Sequence, residues 1–160
     1  MNKTNIALSP NLRHIIADDC DAVFGWRNAS ETRRHFSNAA RISYQDHITW
    51  FKKTLSNPDC AYLIGEAGEK PLGVLRYDID GCSAAVSIYL VPGTSEKGHG
   101  TALLKSGNAW VARHRPEVTN LRALVRPDNL ASQKAFEKSG FQMIGATAEY
   151  CEFDFEISAT

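Results

Sequence analysis

The stretch SIYLVPGTSEKGHGTALL, residues 87–104, decides the fold because it joins three patterns in one short run. It begins in a strand-like alternation over 84–91, in which Val86, Ile88 and Leu90 share one face. The loop PGTSEKGHG follows, and apolar positions at helical spacing then predict a helix over 99–114. Since the first N–H groups of a helix have no partner inside it, this order of elements predicts a site for an anion.

The glycine-rich loop suits a phosphate or pyrophosphate. Gly98 and Gly100 allow the backbone to approach a ligand closely, and Lys97 adds positive charge. A Walker A motif is excluded because His99 stands where that motif requires Lys. A dinucleotide-binding fingerprint is excluded because Leu103 replaces its third glycine. Taken alone, the loop is equally consistent with a plain turn into a helix.

The elements on either side of this stretch predict an α/β or α+β domain of 160 residues with a mixed sheet. Helices are predicted over about 20–27, over 44–55 behind a capping box at Ser43, and from 129 to 139. Residues 28–42 are expected to be a loop with about one helical turn, and Asp80-Gly81 is expected to be a hairpin turn. Strands are predicted over 12–17, 61–67, 72–79, 84–91, 121–125, 141–144 and 150–157.

Composition excludes several classes of function. Eighteen Lys and Arg balance eighteen Asp and Glu, which disfavours nucleic acid or an acidic membrane as a general partner. The four cysteines have no C-x-x-C spacing and no His cluster, so no metal site is expected. The first 14 residues lack the apolar segment of a secretion signal, and no apolar run is long enough to span a bilayer. These features predict a cytoplasmic protein.

Two motifs together resemble the GNAT superfamily of acyl-CoA-dependent N-acetyltransferases. The first is a strand followed by Q/R-x-x-G-x-G/A and a helix, which is the stretch quoted above. The second is Asn, Ala or Ser, Tyr or Phe, and Gly-Phe at fixed spacing, and it matches RPDNLASQKAFEKSGF at 126–141. The resemblance implies a mixed central sheet with one splayed strand pair, flanked by helices, and acetyl-CoA bound as co-substrate between the splayed strands.

The resemblance also implies which residues hold the cofactor. Backbone N–H groups near 89–91 would bind the pantetheine, and the Leu90 amide would polarise the thioester carbonyl as an oxyanion hole does. Backbone N–H groups of 96–101 would hold the pyrophosphate, and Asn129 would bind the cofactor arm. The residues assigned to the cofactor in this way are Leu90, Val91, Glu96, Lys97, Gly98, His99, Gly100, Thr101, Asn129, Ser132 and Phe136.

Two positions depart from the family pattern. The Arg or Gln three residues before the first glycine is Ser95, which removes one charged contact to the cofactor. Many members have Tyr where this chain has Phe136, and Phe has no proton to give to the departing thiolate. Tyr89 is the alternative candidate for the acid.

The N-terminal half carries a second resemblance, through WRN at 26–28 and ISYQDHITWF at 42–51. It is similar to enzymes that acetylate nucleotide-linked 4-amino sugars in pseudaminic acid biosynthesis, and to the related ribosomal-protein N-terminal acetyltransferases. Three functions stay open: an N-acetyltransferase that acts on a small-molecule amine, the amine of an amino sugar; a protein N-terminal or lysine acetyltransferase; and an acyl-CoA-binding module without turnover.

Several side chains are candidates for the acceptor side of the site. His47 is the best general base, with a surface or core-edge histidine as the alternative. Arg27 and Arg76 suit a diphosphate, or else form structural ion pairs, and Trp50 suits a sugar or uracil, or else packs in the core. The strand over 150–157 is expected at an edge or in a hairpin, where an exposed edge would suit a homodimer.

Overall fold

The computed structural model describes residues 9–35, 40–94 and 98–158. A seven-stranded mixed sheet has the order β1-β2-β3-β4-β5-β7-β6. Its strands β1 to β7 are Asn11–His14, Cys60–Ala67, Lys70–Asp80, Ser83–Leu90, Asn120–Val125, Gln142–Ala146 and Cys151–Glu156. The helices α1 to α5 are Cys20–Asn28, Ser30–Arg33, Tyr44–Leu55, His99–His114 and Leu130–Lys138. The predicted mixed sheet flanked by helices is confirmed.

The structure refines three local expectations. The first strand ends at His14 rather than at residue 17, because Asp19 accepts a hydrogen bond from the Ile16 amide at 2.9 Å and turns the chain into a short 3-10 helix. Helix α2 is the single turn expected within 28–42. Strand β7 pairs with β5 on one side and β6 on the other, so the hairpin alternative is confirmed and the sheet edge expected there belongs to β6.

The sheet is covered on both faces. Helices α4 and α5 pack on one face around Leu75, Tyr77 and Phe153, and the helices α1 and α3 pack on the other around Ile64 and Val74. Helix α4 comes close because two glycines, paired directly across β2 and β3, leave a hollow for Leu103. A Cβ atom at Gly65 would lie 2.1 Å from a Leu103 methyl carbon, and one at Gly73 would lie 2.7 Å from the other. The packing of Leu103 against Gly65 and Gly73 therefore sets the distance between α4 and the sheet.

The central strands separate after a short pairing. Strand β4 pairs in parallel with β5 only from Ser83 to Ala85, against Asn120 to Arg122. Beyond that point β4 continues to Leu90 with β3 alone on its other side, so the carboxyl ends of β4 and β5 diverge. The splayed pair predicted for this fold is therefore present, and the gap between the strands opens at the start of α4.

Neither a membrane span nor a metal centre is found in the part of the chain that the structure describes. No helix there is long and apolar enough to cross a bilayer. No group of three or more His, Cys, Asp or Glu side chains within 9–35, 40–94 and 98–158 is arranged to hold a metal ion.

Candidate active site

A cleft of about 1760 Å³ lies where β4 and β5 diverge. One end is formed by the last residues of β4 and β5, the first turn of α4 and helix α5. The other end is formed by side chains from α1, α3 and β3, including Arg27, Trp50 and Arg76. Among the described residues, those predicted to bind the cofactor and those predicted to bind the acceptor therefore line one continuous space.

The end of β4 presents alternate amides to this cleft. The Val91 amide donates to the Leu72 carbonyl on the β3 side at 2.8 Å, so it is not available to a cofactor. Since backbone groups alternate in direction along an antiparallel strand, the amides of Leu90 and Ile88 point toward the gap. The prediction for Val91 as a backbone donor is wrong for this reason. The Leu90 amide remains a candidate donor to the cofactor, and the Ile88 amide is a second candidate.

The first turn of α4 forms the anion-binding end of the cleft. Gly98 is the N-cap and has a φ of 97°, a conformation that favours glycine. The first hydrogen bond of the helix runs from the Ala102 amide to the Gly98 carbonyl, so the amides of 99–101 precede it. Gly100 and Thr101 line the cleft. Three residues of the predicted loop lie outside the described residues. They are Ser95, where the chain departs from the family pattern, and Glu96 and Lys97, which were predicted to bind the cofactor.

The His99 side chain turns inward from this loop. Its Nδ1 donates to the Thr94 carbonyl at 2.6 Å, and the side chain is nearly buried. Thr94 in turn donates through Oγ1 to the carbonyl of Val91. The His99 side chain therefore stabilises the connection between β4 and α4 by bonding to Thr94. The group of His99 that can serve an anion site is its backbone amide.

Helix α5 packs beside α4 and supplies a further part of the cleft wall. Asn129 caps the helix, and its Oδ1 accepts from the Ser132 amide at 3.1 Å, while its Nδ2 has no hydrogen-bond partner among the described residues. Phe136 is buried and stacks on Phe153 with ring centroids 5.6 Å apart. It forms part of the floor of the cleft and carries no proton donor, as its residue type indicates.

Two tyrosines line the cleft beside the end of β4. Tyr89 points to the face covered by α1 and α3, where Tyr62 of β2 lies next to it. Burial holds the pKa of the Tyr89 phenol well above its usual value, and burial also raises the pKa of Tyr62 to about 12. Both phenols are therefore protonated at neutral pH. Tyr89 is among the residues that line the cleft, and its hydroxyl oxygen is covered beside Tyr62.

A cluster of Arg27, Trp50 and Arg76 forms the acceptor end. The Arg27 guanidinium carbon lies 4.1 Å from the centroid of the Trp50 ring, and that of Arg76 lies 5.6 Å from it. Arg76 also donates to Asp78 at 3.0 Å, so the ion-pair alternative holds for it. Burial lowers the pKa of Arg27. No carboxylate among the described residues lies within salt-bridge distance of Arg27, which leaves a half-buried cation facing the cleft.

His47 lies beneath this cluster and does not line the cleft. Its side chain has no exposed surface. Nε2 contacts the Cys20 carbonyl at 3.0 Å, and Nδ1 contacts Arg27 Nη1 at 3.3 Å. Burial lowers the pKa of His47, which keeps it neutral. This geometry favours the core alternative over the predicted general base, because neither ring nitrogen reaches an acceptor in the cleft.

The cleft is strongly basic in a chain whose net charge is zero. Eight Lys or Arg side chains of the described residues line it, against the carboxylates of Glu31 and Asp46. They are Arg27, Arg34, Arg41, Arg76, Lys105, Arg126, Lys134 and Lys138. Most were not identified from the sequence, because overall composition hides a local excess of charge. Arg27 lies on α1 and Arg76 on β3, whereas Arg34 and Arg41 lie between α2 and α3. The other four lie on α4 and α5 or, for Arg126, just after the end of β5.

A model of a known protein family matches most of the chain. The family model for the acetyltransferase (GNAT) domain matches residues 11–142. A search of the curated proteins finds no match.

Solved structures share the fold over nearly the whole chain. The aminoglycoside acetyltransferase AAC(6')-Ib, in complex with paromomycin and acetyl-CoA, has a TM-score of 0.82 at 20% identity and covers 93% of this chain and 94% of its own. Spermidine N-acetyltransferase from Vibrio cholerae, with CoA and spermine, has a TM-score of 0.81 at 15% identity, covering 93% and 96%. The Campylobacter jejuni N-acetyltransferase PseH has a TM-score of 0.70 at 18% identity, covering 94% and 100%. At these identities the matches establish the fold.

Proposed function

Because the chain belongs to the GNAT acetyltransferase family, we propose that it moves the acetyl group of acetyl-CoA to the amine of a nucleotide-linked 4-amino sugar. The single observation that carries the acceptor class is the cation Arg27, held on Trp50 in a basic cleft with no carboxylate within salt-bridge distance among the described residues. A half-buried guanidinium without an anionic partner is costly unless a ligand supplies the anion. The diphosphate of a sugar nucleotide supplies it.

Acetyl-CoA occupies the half of the cleft between β4, α4 and α5. Its pyrophosphate binds at the first turn of α4, where the helix dipole and the amides of Gly100 and Thr101 favour negative charge. Lys105 and Lys134 lie on the same side. The pantetheine runs along the end of β4, and the amide of Leu90 or Ile88 polarises the thioester carbonyl.

The charge of the cleft argues against polycationic acceptors. Paromomycin and spermine, the ligands of two structural neighbours, carry several positive charges at neutral pH. Such molecules meet like charge from Arg27, Arg34 and Arg76 here, and that repulsion opposes binding. A sugar nucleotide has the opposite charge, and the ring of Trp50 offers a surface for its sugar or base.

The reaction is a direct transfer. The neutral amine attacks the thioester carbonyl carbon, a C–N bond forms, and the C–S bond breaks. Nearby cations lower the pKa of the acceptor ammonium, which raises the fraction of neutral amine without a buried base. The amine then loses one proton to water, and the CoA thiolate gains one from the Tyr89 phenol, which is refilled from solvent.

Removal of the Arg27 charge tests the acceptor class. We expect Arg27→Ala to raise KM for a UDP-linked 4-amino-4,6-dideoxy sugar about 20-fold, the low end of ~1.5–3 kcal/mol for a hydrogen bond to a charged group. KM for acetyl-CoA should stay within about twofold, because Arg27 lies at the other end of the cleft. The measurement is steady-state thiol release with either substrate varied.

The matched control for this variant is Arg122→Ala. Arg122 is exposed on β5, contacts Glu152 and Asp154, and does not line the cleft. It removes the same charge and should leave both KM values unchanged. Equal effects of the two substitutions on KM for the sugar contradict a specific anion site at Arg27.

A further inference from the structure

The hydrogen bonds of His47 fix which ring nitrogen carries the proton. A carbonyl oxygen only accepts, so the contact with the Cys20 carbonyl at 3.0 Å requires a proton on Nε2. A neutral imidazole has one N–H, which leaves Nδ1 as an acceptor. Arg27 Nη1 lies 3.3 Å from Nδ1, and a guanidinium only donates. The two hydrogen bonds therefore run in one direction: Arg27 donates to His47 Nδ1, and His47 Nε2 donates to the Cys20 carbonyl.

The surroundings of His47 hold the ring in this orientation. Phe24 of α1, Phe51 and Trp50 of α3 all lie with ring centroids between 5.3 and 6.2 Å from the imidazole. The charged groups that act on the imidazole are Arg27, which lowers its pKa, and Asp21, which raises it. A rigid acceptor at Nδ1 restricts the rotation of an arginine side chain that would otherwise lose conformational entropy when it binds a ligand.

We propose that His47 is a positioning residue for the acceptor site: its Nδ1 holds the Arg27 guanidinium against Trp50 so that the remaining N–H groups of Arg27 meet an anionic group of the acceptor. This inference rests on the proposed function in one respect, the anionic acceptor. It replaces proton abstraction by His47 with preorganisation of a cation. The consequence is an effect on acceptor affinity that exists only while Arg27 is present.

The test uses UDP as the probe and measures its dissociation constant by calorimetry in the presence of CoA. We expect Arg27→Ala to weaken UDP binding about 20-fold and His47→Leu about 5-fold. The double variant should bind no more than about twofold more weakly than Arg27→Ala, because His47 acts through Arg27. His47→Asn, whose Oδ1 lies near the position of Nδ1, should restore binding to within about threefold of the wild type. CoA affinity is the folding control for every variant.

The outcomes separate this inference from the function on which it rests. Equal UDP affinity in the wild type and Arg27→Ala, or no UDP binding at all, overturns the proposed acceptor and the ligand assigned to Arg27. Weak binding in Arg27→Ala with full affinity in His47→Leu overturns only the positioning role. A fall in kcat on His47→Leu that persists in the Arg27→Ala background restores the general base instead.

A second measurement needs no substitution of the buried His47. Nitrogen-15 spectra of the imidazole in the wild type should show a proton on Nε2 and an unprotonated Nδ1, and Arg27→Ala should shift the Nδ1 signal. A proton on Nδ1 overturns the inference, since that nitrogen then has nothing to offer Arg27.

Discussion

Gly100→Asp should weaken acetyl-CoA binding about 100-fold. Gly100 lies in the first turn of α4, where the amides of 99–101 precede the first helical hydrogen bond and line the proposed pyrophosphate site. The carboxylate introduced at residue 100 would lie against the pyrophosphate of acetyl-CoA. Two unit charges at about 4 Å repel by ~4 kcal/mol at an effective dielectric of 20, and solvent screening leaves about 3 kcal/mol. The dissociation constant of acetyl-CoA, measured by calorimetry, reports the effect directly.

Gly100→Ala is the matched control because it adds a Cβ without charge. That atom would lie 3.4 Å from the Cβ of Ala135, at the edge of ordinary contact, and alanine suits a helix better than glycine. We expect acetyl-CoA affinity within about threefold of the wild type. Equal loss of affinity in both variants means that packing against α5 matters at Gly100, and it contradicts a pyrophosphate site there.

Tyr89→Phe should lower kcat about 100-fold with little change in either KM. The substitution removes only the hydroxyl, and a positioned general acid contributes about 10²- to 10⁴-fold. Tyr89 lines the cleft at the end of β4, and burial keeps its phenol protonated. Phe136, at the position of the acid in many family members, has no proton to give. Thiol release under saturating acetyl-CoA and acceptor measures kcat.

Tyr62→Phe is the control for this substitution, since Tyr62 lies beside Tyr89 on the same face of the sheet and also lines the cleft. It removes a neighbour of the acid rather than the acid itself, and we expect kcat to fall about fivefold or less. If Tyr62→Phe lowers kcat more than Tyr89→Phe, the two roles are exchanged. If neither lowers it beyond twofold, the thiolate departs without a phenol.

The parts of the fold that local chemistry determines were predictable. Asn129 at the start of α5, with Gly140 just beyond its end at a φ of 103°, has the residue types that helix ends prefer, and the structure places both there. The Ser43 side chain caps α3 as expected and accepts from the Asp46 amide. Each of these features depends on residues within a few positions of one another.

The Val91 amide was assigned from the family resemblance, which does not say which amides of 89–91 are unpaired; the register of the hairpin does. The hairpin turn was expected at Asp80-Gly81, but Asp80 pairs with Ser83, so the loop is Gly81 and Cys82. Moving a two-residue loop by one position reverses which amides of the next strand point to its hairpin partner. Counting from the true closing pair directs the amide of Leu90 to the gap and that of Val91 to β3. The hairpin sequence therefore indicates which amides face the gap, provided that the turn is placed at Gly81 and Cys82.

His47 could not be assigned from its helix alone. The spacing of Tyr44, Ile48 and Phe51 indicates an apolar face on α3, and His47 lies beside it. How deeply that face is buried depends on α1, which brings Phe24, Arg27 and the Cys20 carbonyl against the ring. The basic lining of the cleft depends in the same way on distant segments, which only the folded chain brings together.

The most direct test of the account is thiol release from acetyl-CoA with two acceptors in parallel: a UDP-linked 4-amino-4,6-dideoxy sugar, and a peptide with a ribosomal-protein N-terminus. We predict turnover with the sugar, and a KM for it that rises in Arg27→Ala and not in Arg122→Ala. Turnover with the peptide alone contradicts the proposed acceptor and assigns the basic cleft to another ligand. Binding of acetyl-CoA without turnover of either acceptor contradicts the proposed reaction.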